Sequence, residues 1–463
     1  MKKSLLFGLL ALSGLSMGAQ TIDDFNYEVK DGVKLENLWL YARSYGNWNA
    51  QNLPFVEDWD RVRTATIAND KIYLGYSHKI MVGDELNSGS AHYCVVDLKT
   101  GKFEKTVQVT VDGATVDALL AANQIGTDDF GNLWFCAYSN DLIKSTGEVR
   151  PIDVYVIDNV ETGEASLAFS VTLPDDESEA GASRIDYYDL VGDVTGKQAG
   201  TVFMCASCEN ATAPFIYGWQ RDQGSNKWEP HMADNGYVAQ ELSETYPAGQ
   251  IILNYGSMLK IIRDEEYSGN MFYVDGYTTY PTLYDTSGTM LESFGSCADT
   301  EGLLPDDVGC NGVAEFSVKG NDYICYPVNQ YNKGLGWELR IAKLGEGQTF
   351  EGMTPCWTFP AKGQGTISDS GMRIHSLMTA PAKDAAGHEG VYLLQYKCNG
   401  GLGVYLVADK DFQSGVNDIV ADADNSNAPV EYFNLNGVKV NGDLTPGLYI
   451  KRQGTAAEKV VVK

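Results

Sequence analysis

Six times along this chain a turn is followed by an aromatic residue inside a short apolar run. The copies read KIYLGYS (71–77), NLWFCAYS (132–139), TVFMCAS (201–207), NMFYVDG (270–276), DYICYPV (322–328) and GVYLLQY (390–396). Their anchors Tyr73, Trp134, Phe203, Phe272, Tyr323 and Tyr392 stand 61, 69, 69, 51 and 69 residues apart. Recurrence on that scale marks stacked copies of one supersecondary unit. Each anchor run follows another apolar run, as TATIAN precedes KIYLGYS. It is usually followed by an alternating strand that ends in a D-x-x-T-G turn or a looser relative, as in YCVVDLKTGKFEKTVQV (93–109), VYVIDNVETGEASLAFSV (154–171) and TLYDTSGTMLESF (282–294). Glycine supplies positive φ at such turns, and the flanking Thr and Val favour extended chain. Helical periodicity is essentially absent.

Units of about four strands, repeated radially, are blades of a β-propeller. The last unit supplies only three strands, and NLWLYARS (37–44), far upstream, reads as the strand that completes it. The expectation is an all-β, six-bladed propeller; seven blades follow instead if NLWLYARS belongs to a blade of its own. A pair of β-sandwiches fits less well, because it has no need of a repeated anchor strand.

The ends differ from the body. Residues 1–19 have the form of a secretory signal peptide, with Lys2 and Lys3, an apolar stretch too short to span a bilayer, and small residues before Gln20. The propeller is expected over 20–411. A linker follows over 412–429, which includes the acidic, Pro-terminated VADADNSNAP. Residues 430–463 then read as a small β domain, with a hairpin turn at Asn436–Gly437 and a break at Pro446–Gly447. No later segment reaches ~18 uninterrupted apolar residues, so the mature chain is not expected to be integral to a membrane. The formal net charge of −28 becomes −30 once the two signal lysines leave. Such a polyanion opposes binding to nucleic acid and to anionic membranes.

The matching residues of the tail are Tyr432, Asn434, Gly437, Gly447, Tyr449, Lys459 and the terminal VVVK. Over 416–463 it resembles the C-terminal sorting domains that route proteins through the type IX secretion pathway of Bacteroidetes bacteria. That resemblance implies export machinery as a partner and a secreted or outer-surface location, or the periplasm if the tail does not sort. The body resembles secreted propellers of the same bacteria, mostly of unassigned function. TDDFGNLWF (127–135) satisfies the Asp-box pattern of sialidase-type propellers and is similar to the D-x-x-G-N-L-W repeat of periplasmic sensor propellers. In both families the motif is structural. The resemblance implies that Asp129 bonds backbone donors in the turn, that Gly131 takes positive φ, and that Trp134 wedges between blades.

Chemistry is harder to find. None of the five histidines pairs as H-x-H or H-E-x-x-H, and there is no G-x-S-x-G elbow, so no catalytic residue is assigned. The nine cysteines leave at least one unpaired thiol in a monomer. Cys94, Cys136, Cys205, Cys325 and Cys398 lie in apolar runs, where cysteine acts as a small hydrophobe. Cys297 and Cys310 bracket an acidic loop and form the best disulfide pair. No cofactor is expected, with calcium as the alternative: within that loop Asp299, Glu301, Asp306 and Asp307 offer the hard oxygen ligands that suit it. Asp128, Asp129 and Asn132 form a second oxygen-rich group, better explained as a hairpin. Aromatic residues among amides mark a sugar-stacking surface: Tyr45, Trp48, Tyr277, Tyr280, Tyr331 and Trp337. Packing between blades is the stronger explanation for any one of these residues taken singly. The expected role is non-catalytic binding of a glycan or polypeptide at or outside the cell surface. A polysaccharide hydrolase or lyase and a protein-docking scaffold are the alternatives.

Overall fold

In a computed structural model, the chain is described over residues 27–54, 62–82, 85–116, 124–136, 151–172, 184–198, 200–208, 215–221, 228–230, 239–241, 258–262, 271–276, 279–294, 312–330, 336–365, 375–398, 400–414, 430–433, 439–440, 447–453 and 456–462. It divides into two compact units, one of residues 1–383 and 387–412, the other of 384–386 and 413–463.

The first unit is a six-bladed β-propeller. Strand β1 (Val33–Ala42) comes first and belongs to the last blade. Blade 1 comprises β2 (Val62–Ala68), β3 (Lys71–Val82), β4 (Glu85–Asp97) and β5 (Phe103–Gln108). Two short strands, β6 (Thr110–Val111) and β7 (Ala114–Thr115), then extend the outer edge of blade 2. That blade is built from β8 (Gln124–Thr127), β9 (Leu133–Cys136), β10 (Ile152–Asn159) and β11 (Glu164–Val171). Blade 3 holds β12 (Arg184–Val191), β13 (Thr201–Cys208), β14 (Phe215–Arg221) and β15 (Trp228–Pro230), with β16 (Ala239–Glu241) also on β14. Blade 4 holds β17 (Met258–Ile262), β18 (Met271–Gly276), β19 (Thr279–Asp285) and β20 (Met290–Ser293). Blade 5 holds β21 (Ala314–Val318), β22 (Asn321–Gln330), β23 (Gly336–Lys343) and β24 (Thr354–Phe359). Blade 6 takes β25 (His375–Lys383), β26 (Glu389–Lys397) and β27 (Gly401–Asp409), and β1 is its outermost strand.

All six aromatic anchors lie on the second strand of their blades. The closing strand runs antiparallel to β27, from Val33 opposite Asp409 to Ala42 opposite Gly401. It begins four residues before NLWLYARS and ends two residues short of it, because Arg43–Tyr45 turns away in a 3-10 helix. The D-x-x-T-G turns form as expected. Asp97 Oδ1 accepts the Thr100 N–H at 2.9 Å, and Gly101 has φ +69°. Gly101 is also a packing requirement, since a Cβ there would stand 2.5 Å from the Trp39 ring.

Facing sides of neighbouring blades bury six main apolar clusters. The five cysteines read as small hydrophobes are all buried and outside any disulfide. No helix among the described residues is long and apolar enough to cross a membrane. The second unit carries a four-stranded antiparallel sheet in the order β29-β28-β30-β31, from β28 (Val430–Phe433), β29 (Lys439–Val440), β30 (Gly447–Gln453) and β31 (Ala456–Val462).

Trp39 joins blade 6 to blade 1. It is 1 % exposed, and its indole N–H donates to the Leu98 carbonyl at 2.7 Å. Trp39→Ala is expected to lower the unfolding free energy by about 3–5 kcal/mol, the loss typical of a buried large aromatic. Urea titration checks it; a change below about 1 kcal/mol, the scale of a surface substitution, would mean that ring closure does not depend on this contact.

Candidate functional site at the ring axis

The inner strands β2, β8, β12, β17, β21 and β25 converge on the ring axis, and the hairpins that leave them surround an axial cavity of ≈ 440 Å³. All six blades contribute to its wall, among them Asp70, Thr127, Leu190, Ile262, Ala314 and Met378. A second cavity of ≈ 380 Å³ adjoins it towards blade 5 and includes Ser317, Asp322 and Gln348. Asp129, Val191, Lys260, Ile262 and Glu315 line both, so they form the waist between two lobes.

The hairpin 128–132 sets one side of the waist. Buried Asp128 accepts the N–H groups of Phe130 at 2.9 Å and Asn132 at 2.8 Å on one oxygen. Its other oxygen accepts the Asn132 amide and the Val194 N–H of blade 3, each at 2.9 Å. Asp129 reaches across too: its Oδ2 accepts the Gly192 N–H at 2.9 Å, and its own N–H donates to the Gly192 carbonyl. The turn-bonding role expected of Asp129 therefore falls to Asp128, because the latter points into the hairpin and the former points towards the next blade. Gly131 takes φ +81°, and buried Trp134 packs between blades 2 and 3, as expected. The hairpin carries Phe130 at its tip, 60 % exposed, between two cavity-lining residues.

The opposite side is ionic. Lys260 Nζ lies 3.2 Å from Asp189, whose other oxygen accepts the Ile261 N–H at 2.7 Å. Burial pushes the Asp189 carboxyl up, and the lysine charge opposes it. Glu315 on β21 accepts a hydrogen bond from the hydroxyl of buried Tyr273. Burial pushes the Glu315 carboxyl up to about 7, the tyrosine bond opposes the rise, and the carboxylates of Asp322 and Glu292 add to it. The waist thus combines a proton-carrying carboxyl, an exposed carboxylate residue, a lysine and apolar wall.

The residues expected from sequence fare differently. Trp337 is corrected: it is 1 % exposed, with Lys397 Nζ 5.6 Å from its ring centroid, so no face is open to a sugar. Tyr45 is partly exposed, but its hydroxyl accepts the Lys362 N–H at 3.2 Å and the Lys362 ammonium stands 5.1 Å from its ring. Trp48 is half-buried against the cluster between blades 6 and 1. The structure places none of these three on the axial cavities. Tyr277, Tyr331, Asp299, Glu301, Asp306, Asp307, Cys297 and Cys310 lie outside the described residues, as does the side chain of Tyr280. Among the described residues no three His, Cys, Asp or Glu side chains gather closely enough to hold a metal ion. Phe130, Lys260 and Glu315 were not singled out from sequence. Their one signal was position, on or just beyond an inner strand ahead of an anchor.

No family model matches the chain, and no curated protein matches it. Solved structures similar to it include a Trypanosoma rangeli sialidase in complex with 2,3-difluorosialic acid, at 10% identity and a TM-score of 0.40, covering 75% of this chain and 53% of that one. An α-L-arabinanase of Penicillium chrysogenum complexed with arabinobiose gives 11% identity and a TM-score of 0.42, covering 76% and 95%. The polysaccharide lyase Uly1 gives 13% and 0.36, covering 75% and 78%. The chain thus spans 53% of the length of that sialidase. These are likenesses of a propeller fold to carbohydrate-acting proteins.

The raised Glu315 carboxyl has a consequence for stability. The folded protein holds this proton more tightly than the unfolded chain, whose ordinary value is 4.5. The resulting stabilisation is complete below that value and is lost as pH rises through about 7. Relative to Glu315→Gln, the wild type should lose about 2–3 kcal/mol of unfolding free energy between acid and mildly alkaline pH. Urea titrations across that range check it; parallel curves for the two proteins would contradict it.

Proposed function

We propose that this is an exported propeller that binds a glycan at its axial site, at or outside the cell surface. The observation that carries the reading is exposed Phe130, set at a hairpin tip between Asp129 and Gly131 of the cavity wall, a wall that mixes polar and apolar side chains. An aromatic face takes the apolar side of a sugar ring, while carboxylates, Asn69 and the Lys260 ammonium bond hydroxyls. Each lobe lies within the ~300–1,000 Å³ usual for small-ligand sites. The net charge of −28 disfavours polyanionic ligands and leaves neutral, hydroxyl-rich ones unopposed. Blades hold the hairpins at fixed positions, so the site is formed before the ligand arrives.

A glycan array probed with residues 20–463 tests the reading. Selective binding is expected, and Phe130→Ala should weaken it roughly three- to tenfold, the worth of one aromatic contact. Its melting temperature should stay unchanged, since the ring is exposed. Silence across the array, with binding to peptides instead, would replace the glycan by a polypeptide.

Export through the tail is the second half of the proposal. In a host with a type IX secretion pathway, deleting residues 430–463 should leave the propeller in the periplasm, as read by fractionation. Undiminished release would separate the tail from sorting.

A further inference from the structure

We propose that the waist between the two axial lobes is a hydrolytic centre for an oligosaccharide that occupies both, with Glu315 as the acid and Asp129 as the base. This rests on the glycan reading above and assigns chemistry to the same site. Two adjoining lobes offer places for different sugar units, so a linkage between them falls where the lobes share their wall. The polar side chains common to both lobes are Asp129, Lys260 and Glu315.

The two carboxyl groups stand in opposite environments, which is how one pair divides acid and base roles. Burial, with Asp322 and Glu292 adding negative potential, raises the Glu315 carboxyl to about 7, against the hydrogen bond it accepts from the buried Tyr273 hydroxyl. Asp129 is exposed on the 128–132 hairpin, fixed by its two bonds to Gly192. Lys260, tethered by Asp189, lines both lobes as well.

Glu315 gives its proton to the glycosidic oxygen as the bond from that oxygen to the anomeric carbon breaks, releasing one sugar as an alcohol. A water molecule attacks the anomeric carbon, and Asp129 takes the proton it loses. The sum is glycoside plus water to two sugars, with no redox change. Proton return from Asp129 through solvent to Glu315 restores the site.

The experiment incubates the full mature chain with defined tetrasaccharides of glucan, xylan, mannan, arabinan and chitin type. It follows reducing ends, with calorimetry in parallel for binding. Turnover is expected on at least one, and Glu315→Gln and Asp129→Asn should each reduce kcat at least about a hundredfold, the usual share of a general acid or base. Thermal melts establish that each variant folds. Tyr273→Phe supplies a readout that a structural role would not move. Losing the bond that opposes the rise leaves Glu315 protonated to higher pH, so the alkaline limb of the pH–rate profile should move upward. Binding without any release of reducing ends would overturn this inference and leave the glycan reading standing. Neither binding nor release would remove both. Turnover that survives in folded Glu315→Gln would exclude Glu315 as the acid.

Discussion

Everything at the axis depends on the pairing of β1 with β27. The two strands are more than 350 residues apart in the chain, yet they complete one sheet. Entropy of loop closure grows only with the logarithm of loop length, so distance in sequence adds little to the penalty. The gain is that β27 loses an open edge, which would otherwise offer unpaired backbone groups to other chains. The clasp extends past the strand itself, where the Lys410 N–H donates to Gly32 and the Lys34 ammonium to the Phe412 carbonyl. Trp39 then locks the completed blade to its neighbour through Leu98 and Gly101. Without that closure the six inner strands would have no reason to meet.

Where they meet, neighbouring blades are joined by polar side chains. Thr66 and Thr127 share a bond between blades 1 and 2 at 2.7 Å. Asp128 and Asp129 join blades 2 and 3, and Asp189 with Lys260 joins 3 and 4. Tyr273 with Glu315, and Asp275 with the Gly312 N–H, join 4 and 5. The Ser376 hydroxyl accepts the Ala65 N–H between 6 and 1. Large aromatics sit further out, as with Phe359 against Tyr405 or Phe294 against Tyr326. Of these groups Thr127, Asp128, Asp129, Lys260 and Glu315 also line the axial cavities, so structure and site share residues.

That overlap explains what could be read before the fold was seen. The anchors and the D-x-x-T-G turns were legible because strand alternation and positive φ are local properties, written at each blade in turn. The closing strand was legible because blade 6 was visibly one strand short. The site was not. Glu315 in AEFSV is an ordinary alternating polar residue until Tyr273, 42 positions earlier, is brought against it. Phe130 was absorbed into a structural motif, and only burial separates its exposed ring from the buried ring of Trp134 in the same hairpin. Trp337 failed for the converse reason, since an aromatic among amides in sequence does not say which face of the strand it will occupy.

Three buried aspartates show how much the axis tolerates. Asp128 is satisfied by four N–H donors, so its burial is matched by hydrogen bonds at every turn. Asp189 shares its burial with a lysine and the backbone N–H groups of Ile261 and Leu190. Asp275 is 1 % exposed with a single donor from Gly312, and its second oxygen is left without a partner. Burial pushes that carboxyl well above the usual range, so it is accommodated by keeping its proton. A buried charge with half its bonds would be far more costly than a neutral acid in the same place. The order of these three follows their neighbours. Asp128 lies within a hairpin rich in N–H groups, Asp189 pairs with the lysine of the waist, and Asp275 takes the Gly312 N–H as its one donor among the described residues. Two carboxyls whose burial favours the protonated form therefore sit at blade 4, its own Asp275 and, where Tyr273 meets it, Glu315 of blade 5.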